Sequence, residues 1–217
     1  MSEIIIMKEL LSENKKLAEE YRALYKSKNV LMVNIMGAPG AGKTTFLKAV
    51  TEALKDRGID SAIIEGDLYS SIDADDFNER GIRASQINTC GECHLDAAVI
   101  KEGYDKLSFE NGVVFVENVG NLICPAEFDL GESVKIVCAS VPEGDDKPFK
   151  YVPMFSYVDA VVLTKCDLKE AVGFDTDNFK KGLSAISDAP VFEVSLGKDP
   201  ERSGVEKIVD YILEKRG

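Results

Sequence analysis

Nine residues, Gly37-Ala38-Pro39-Gly40-Ala41-Gly42-Lys43-Thr44-Thr45, satisfy the pattern GxxxxGK[ST] and stand between an apolar run, Val30–Ile35, and a helical pattern, Phe46–Lys55. A strand, a glycine-rich loop and a helix in that order commit the chain to an α/β architecture whose loop brings several backbone N–H groups around a phosphate. Glycine is required because the loop needs positive φ angles and has no room for Cβ atoms. Lys43 is expected to reach the β- and γ-phosphates of a nucleoside triphosphate and the Thr44 hydroxyl to take one position on Mg²⁺. The positive end of the following helix faces the anion. The competing reading is a glycine-rich turn that contains Lys-Thr by chance, and the flanking strand and helix speak against it.

The rest of the chain repeats the alternation. Strands are expected at Ser61–Glu65, Ala84–Ile87, Val113–Glu117, Ser133–Ala139, Asp159–Leu163 and Val191–Val194. Helical patterns lie near Asp75–Arg80, Leu95–Glu102, Asn178–Ile186 and Val205–Lys215, the last with Ser203 as a cap. Mostly apolar strands separated by helices predict a mostly parallel sheet with helices on both faces. Before it, Leu10, Leu17, Tyr21, Leu24 and Tyr25 recur at helical spacing, which predicts an amphipathic helix over residues 7–28 packed against the edge of the core. With 217 residues and 45% hydrophobic content, and without a Pro/Gly/Ser-rich linker, the chain is expected to form one domain overall. A formal net charge of −12 speaks against a nonspecific grip on DNA or RNA. No apolar run approaches the ~20 residues that span a bilayer and no secretory signal is visible, so the expected location is cytoplasmic, away from membranes.

Two carboxylates are expected at the ligand-binding edge of such a sheet: Asp67 after the second strand and Glu117 after a later one. With Thr44 they form a plausible Mg²⁺ set, since Mg²⁺ takes hard oxygen ligands. The alternative is that they cap helices or turn loops. Thr164-Lys165-Cys166-Asp167 resembles the guanine motif NKxD with Thr in place of Asn. A carboxylate at Asp167 accepts from the N1–H and the exocyclic amine of guanine together, a donor pair adenine lacks, so GTP is favoured over ATP. Lys165 can lay its stem along the base. Ser195-Leu196-Gly197 is expected to present backbone N–H groups to guanine O6.

The five cysteines are an odd number, which favours thiols or metal ligands over a disulfide framework. His94, the only histidine, directly follows Cys93 at the start of a helix, and Cys124 lies seven residues beyond Glu117 in what is expected to be a nucleotide-sensing loop. Cys93, His94 and Cys124 suit Zn²⁺ or Ni²⁺, and as an incomplete set they are readily shared across a two-fold dimer interface. Cys90 is either a fourth ligand or a bystander. Cys138 and Cys166 read as small buried hydrophobes.

Taken together, GAPGAGKTT, CHLDA at Cys93–Ala97, ENVGNLICP at Glu117–Pro125, VPEGDDKP at Val141–Pro148 and TKCDL at Thr164–Leu168 resemble the HypB family, the hydrogenase nickel-incorporation accessory GTPases. The resemblance covers nearly the whole chain from Val30 onward. It is similar to the archaeal type, since the segment before Val30 has neither the Cys motif nor the His-rich tract that serves some members as a nickel store. The resemblance implies a P-loop GTPase domain over residues 29–217, of the nucleotide-dependent dimerising class. It further implies nickel delivery to the [NiFe]-hydrogenase large subunit with a HypA-like partner, an interface metal site of Cys93, His94 and Cys124, and Asp67 and Glu117 as Mg²⁺ and switch acids.

The expected mechanism is a γ-phosphate switch: GTP and Mg²⁺ order the loops after Asp67 and Glu117, close a homodimer around the metal, and release it on hydrolysis. Lys43, Asp67 and Glu117 are the expected catalytic residues, with Asp67 orienting water and Arg83 the only nearby candidate for an arginine finger, so intrinsic turnover is expected to be slow. Three other readings compete: a urease-type nickel accessory GTPase, a small-molecule kinase with structural thiols, and a thiol redox module.

Overall fold

The computed structural model describes residues 2–67, 72–88, 94–123, 125, 128–196 and 204–217, with side chains from Leu10 onward except those of 67, 72 and 73. Its centre is a parallel sheet of seven strands among the described residues: β1 Val30–Met36, β2 Ser61–Asp67, β3 Arg83–Asn88, β4 Gly112–Glu117, β5 Val134–Ser140, β6 Ala160–Thr164 and β7 Val191–Glu193. Their spatial order is β3-β2-β4-β1-β5-β6-β7. Every strand pairing is parallel, with Ile35 opposite Glu117 and Glu65 opposite Glu117. β1 is therefore flanked by β4 and β5. The chain leaves β1 toward one side to form β2, β3 and β4, then crosses from β4 past β1 to β5 on the other, and this reversal opens a crevice at the C-terminal edge of the strands.

The helices are α1 Ser2–Ser27, α2 Lys43–Asp56, α3 Ile72–Glu79, α4 Ala97–Leu107, α5 Lys147–Lys150, α6 Val152–Ser156, α7 Lys169–Val172, α8 Thr176–Ser184 and α9 Val205–Arg216. The strand period of two divides the core. Leu31, Val33 and Ile35 of β1 and Val113 and Phe115 of β4 join one apolar layer with Phe46, Leu47 and Val50 of α2 and Ile208, Val209 and Ile212 of α9. Val30, Met32, Val114 and Val116 face the opposite layer, where Tyr25 of α1 and Ile100 and Tyr104 of α4 pack. A third layer covers β5 and β6 with Phe155 and Phe179.

The predicted strands are present with ends shifted by one or two residues, and β3 is an edge strand whose two terminal residues are exposed. Helix α1 begins at Ser2 rather than near residue 7, since Ile4–Met7 between Glu3 and Lys8 continues the helix. The short helices α5, α6 and α7 escape periodicity because four or five residues span little more than a turn; α5 and α6 each carry Pro in the first two positions. The cap of α9 is Gly204, with no side-chain hydrogen bond, rather than Ser203, which lies outside the described residues. No described helix is long and apolar enough to cross a membrane.

Candidate nucleotide and metal site

At the end of β1 the phosphate loop turns on three glycines with positive φ: Gly37 at 147°, Gly40 at 76° and Gly42 at 89°. At Gly37 a Cβ would stand 2.3 Å from the Cys138 carbonyl oxygen of β5, so the close passage of two backbones excludes any other residue. Gly42 caps α2 without any side-chain hydrogen bond, which leaves the orphan N–H groups of the first turn to an anionic ligand. Lys43 is buried, and its Nζ donates to the carbonyls of Gly37 and Ala38, each at 3.4 Å.

Thr44, in the first turn of α2, donates its hydroxyl to Glu117 Oε1 at 2.9 Å. Glu117 is 7% exposed at the end of β4, and Glu65, 3% exposed, faces it in register from β2. Glu65 is a residue the sequence reading passed over in favour of Asp67. The available signal was the strand period, which puts positions 65 and 67 on one face. The backbone of Asp67 closes β2 at the same edge, while its side chain is not described.

The segment after Glu117 lies against the phosphate loop. Gly37 forms an antiparallel bridge with Asn121, and a Cβ on Gly120 would come within 3.0 Å of Pro39. Asn118 donates to Asn34 Oδ1 at 3.2 Å, and Val119 N donates back to Asn118 Oδ1 at 2.9 Å.

On the other side, β6 delivers Thr164 and Lys165. The buried Thr164 hydroxyl donates to Ala41 O at 2.6 Å, and Lys165, at φ 57°, donates from Nζ to Gly40 O at 2.8 Å. Thr in place of Asn therefore ties the base motif to the phosphate loop. A cavity of about 300 Å³ opens here, lined by Gly42, Thr45, Thr164, Lys165, Asp167, Leu168 and Leu196. Asp167 is exposed at its rim, Ser195 is half-buried after β7, and Gly197 is not among the described residues. Cys166 is half-buried, its Sγ 3.1 Å from Leu163 O, and burial raises its thiol. Burial also pushes the Cys138 thiol far up, so this cysteine is an inert core residue.

Of the expected transition-metal ligands only His94 is described. It is half-buried, with its ring stacked on Phe128 at 3.8 Å between centroids and 20° between planes. Cys90, Cys93 and Cys124 lie outside the described residues, and among those described no group of three or more His, Cys, Asp or Glu is arranged for a metal. Arg83 does not approach the phosphate loop. It opens β3 at the opposite sheet edge, pairs with Asp60 at 3.7 Å and lies over the Phe109 ring at 4.6 Å. Sequence proximity misplaced it, because a strand carries its first residue far from the edge where ligands bind.

The model of the CobW/HypB/UreG nucleotide-binding domain matches residues 31–193. The hydrogenase/urease maturation factor HypB of Helicobacter hepaticus is 39% identical over 98% of this chain and 88% of its own length. The crystal structure of HypB from Helicobacter pylori in complex with nickel superposes with a TM-score of 0.88 at 37% identity, over 94% of this chain and 95% of that one. That of HypB from Archaeoglobus fulgidus gives 0.86 at 37% identity, over 95% of this chain and all of that one (100%). With the family model matched over residues 31–193 and relatives of 37–39% identity covered over nearly their whole length, the chain belongs to the CobW/HypB/UreG family and within it to the HypB maturation factors, which are P-loop GTPases.

Proposed function

We propose that this protein is a GTP-hydrolysing metallochaperone that assists nickel insertion into a [NiFe]-hydrogenase, and that GTP and metal together control its homodimerisation. The observation that carries this reading is the contact of the 118–121 segment with the phosphate loop, at Gly37 with Asn121 and at Pro39 with Gly120. That segment begins at the carboxylate paired with Thr44 and runs toward Cys124, so a change at the γ-phosphate acts on the same stretch of backbone as the metal thiol. The names of the relatives support the nickel and hydrogenase parts, and a HypA-like chaperone and the hydrogenase large subunit precursor are the proposed partners.

Mg²⁺ fits the oxygens present. Thr44 and Glu117 would hold it, with Asp67 joining from β2, and when bound it supplies charge stabilisation to the transferring phosphoryl group. Lys43 neutralises the β- and γ-phosphates, and the N–H groups of Gly40, Gly42 and Thr44 surround them. Asp167 reads guanine, with Thr164, Lys165, Ser195 and Leu196 shaping its pocket. Asp67 orients the attacking water. Arg83, the sequence candidate for an arginine finger, stands at the far edge paired with Asp60, and slow intrinsic turnover is the expected outcome of its absence from the site. Cys93, His94 and Cys124 carry the cargo, Ni²⁺ or Zn²⁺, across a two-fold interface, and the setting is cytoplasmic.

Substitution Lys43→Ala is expected to reduce GTP hydrolysis by about 10²-fold or more, measured as phosphate release. Undiminished hydrolysis would remove the phosphate loop from the mechanism. Size-exclusion chromatography with a GTP analogue, GDP and Ni²⁺ tests the switch. An oligomeric state indifferent to both nucleotide and metal would sink it.

A further inference from the structure

Asn14 in α1 is 9% exposed and divides its carboxamide between two remote backbones: Nδ2 donates to Asp129 O at 2.8 Å and Oδ1 accepts from Ala97 N at 2.9 Å. Ala97 is the first residue of α4, three positions after His94. Asp129 directly follows Phe128, the ring on which His94 stacks. One amide therefore spans the two segments whose separation sets where the imidazole stands. Along the same stripe of α1, Ala18 backs onto Gly131, where a Cβ would meet Ala18 O at 3.0 Å. Arg22 donates to Asp129 Oδ1 at 2.5 Å and to Glu132 O at 3.0 Å. Residues 14, 18 and 22 follow the i, i+4 spacing of one helix face, so α1 lies along the 129–132 segment as a brace.

The brace is not what secures the two helices to each other. α4 has its own cap, Asp96 accepting from Val99 N at 2.9 Å, and α1 meets α4 through the Tyr25–Tyr104 ring pair at 4.7 Å, far along the helix from Asn14. Folding has those contacts without residue 14. What residue 14 adds is a fixed spacing that needs a donor and an acceptor in one rigid plane, which an amide has and a carboxylate or an alkyl group lacks.

We propose that Asn14 is a positioning residue for His94, holding the start of α4 against the 128–132 segment so that the imidazole is presented to a transition metal ion in one geometry. The inference rests on the metal reading above. Its test uses the full chain and Ni²⁺ alone, with binding isotherms and the thiolate-to-nickel charge-transfer spectrum recorded for wild type, Asn14→Leu, Asn14→Asp and His94→Ala. Asn14→Leu is expected to weaken Ni²⁺ binding about tenfold and shift the spectrum, the scale on which supporting contacts around metal ligands act. Its melting temperature is expected to fall by several degrees, since Ala97 N and Asp129 O each lose a partner, with the chain still folded at the assay temperature.

Asn14→Asp keeps the acceptor for Ala97 N but sets a carboxylate against the Asp129 carbonyl, and is expected to show the same direction of change. It is the variant to read if the leucine chain does not fold. Wild-type isotherms and spectra in both variants would overturn the proposal, as would weaker binding that merely tracks a collapse in thermal stability. Nickel binding in His94→Ala equal to that of wild type would overturn the metal reading itself, a different result from failure of Asn14 alone.

Discussion

Two polar clusters adjoin β1, one at its C-terminal end and one on the face turned to α1, and they treat hydrogen bonding in opposite ways. Around the phosphate loop, Lys43, Thr164 and Lys165 direct their donors onto the carbonyls of Gly37, Ala38, Ala41 and Gly40, while α2 starts without a side-chain cap and Asp167 stays exposed at a cavity rim. Between β1, α1 and the 128–132 segment the polar groups close on one another. Asn118 bonds Asn34, Asn34 Nδ2 bonds Glu132 Oε1 at 3.3 Å, Leu130 N bonds Glu132 Oε2 at 2.7 Å, and Arg22 joins Asp129 to the Glu132 carbonyl. The first cluster is open and shaped to receive a ligand. The second is closed and shapes backbone. Truncating a ligand-facing group of the open cluster, such as Asp167, should therefore cost nucleotide recognition and little stability, whereas truncating a buried acceptor of the closed cluster should cost stability and leave nucleotide recognition intact.

Asp167→Ala is the largest expected effect. Removing an exposed rim carboxylate is expected to lower the preference for GTP over ATP by about 10²-fold or more, with the melting temperature nearly unchanged. Competition binding with both nucleotides measures it; a large stability loss without a change in selectivity would erase the distinction between the clusters. Gly37→Ala comes next and sharpens the boundary of the open cluster, because there the loop presses on β5. With a Cβ 2.3 Å from the Cys138 oxygen and φ at 147°, a loss of about 3 kcal/mol in chemical denaturation is expected. A neutral result would mean that the loop is free to move off β5.

Glu132 breaks the comparison from the closed side. Burial pushes its carboxyl above the usual range, opposed by Lys135 at 3.4 Å and reinforced by Asp129. In Asp129 burial acts in the same upward direction, but hydrogen bonds from Arg22 and from Gly131 N at 2.9 Å outweigh it and hold that carboxyl low. Glu132→Ala is expected to cost about 2 kcal/mol, since Leu130 N and Asn34 lose their buried acceptor.

Glu132→Gln removes the titrating group but also turns one of two acceptor oxygens into a donor, so the pH dependence of the difference, and not its size at one pH, reads the charge. A carboxyl whose folded pKa is raised favours the folded state below its unfolded pKa and loses that stabilisation as pH climbs through the folded value. Wild type is therefore expected to lose stability relative to Glu132→Gln as pH rises from about 4.5, the ordinary glutamate value. Melting curves at pH 5 and pH 8 check this, and a gap that does not widen with pH would show that the carboxyl titrates normally.

The two clusters also differed in how legible they were. Lys43, Thr44, Glu117, Thr164 and Asp167 stand in short motifs because a phosphate loop and a base-reading turn are local devices at strand ends, and the strands themselves show as apolar runs. Asn14, Arg22, Asn34, Asn118, Asp129 and Glu132 have no shared spacing; Asn14 and Asp129 are 115 residues apart and Arg22 and Asp129 107. Their role arises only when α1 lies along the 128–132 segment, and an amphipathic pattern gives a helix a buried face without naming what it touches. Glu65 fell between these cases, readable by strand period but hidden by the more obvious Asp67. Arg83 failed for the converse reason, a suitable residue type placed at the wrong end of its strand.

Thr164→Val is the smallest effect and the finest test of the open cluster. The substitution keeps shape and removes one hydroxyl, which donates to Ala41 O at 2.6 Å and approaches Ala139 O at 3.4 Å. If Thr164 read the base directly, nucleotide affinity would fall while stability held. Because the hydroxyl instead anchors the phosphate loop from β6, a stability loss of about 1 kcal/mol is expected, with unchanged discrimination between GTP and ATP and a modest rise in KM for GTP. Thr164→Ser restores the donor and should recover both. Loss of discrimination in the valine variant would move Thr164 from strut to base contact and make the open cluster the more usual NKxD arrangement.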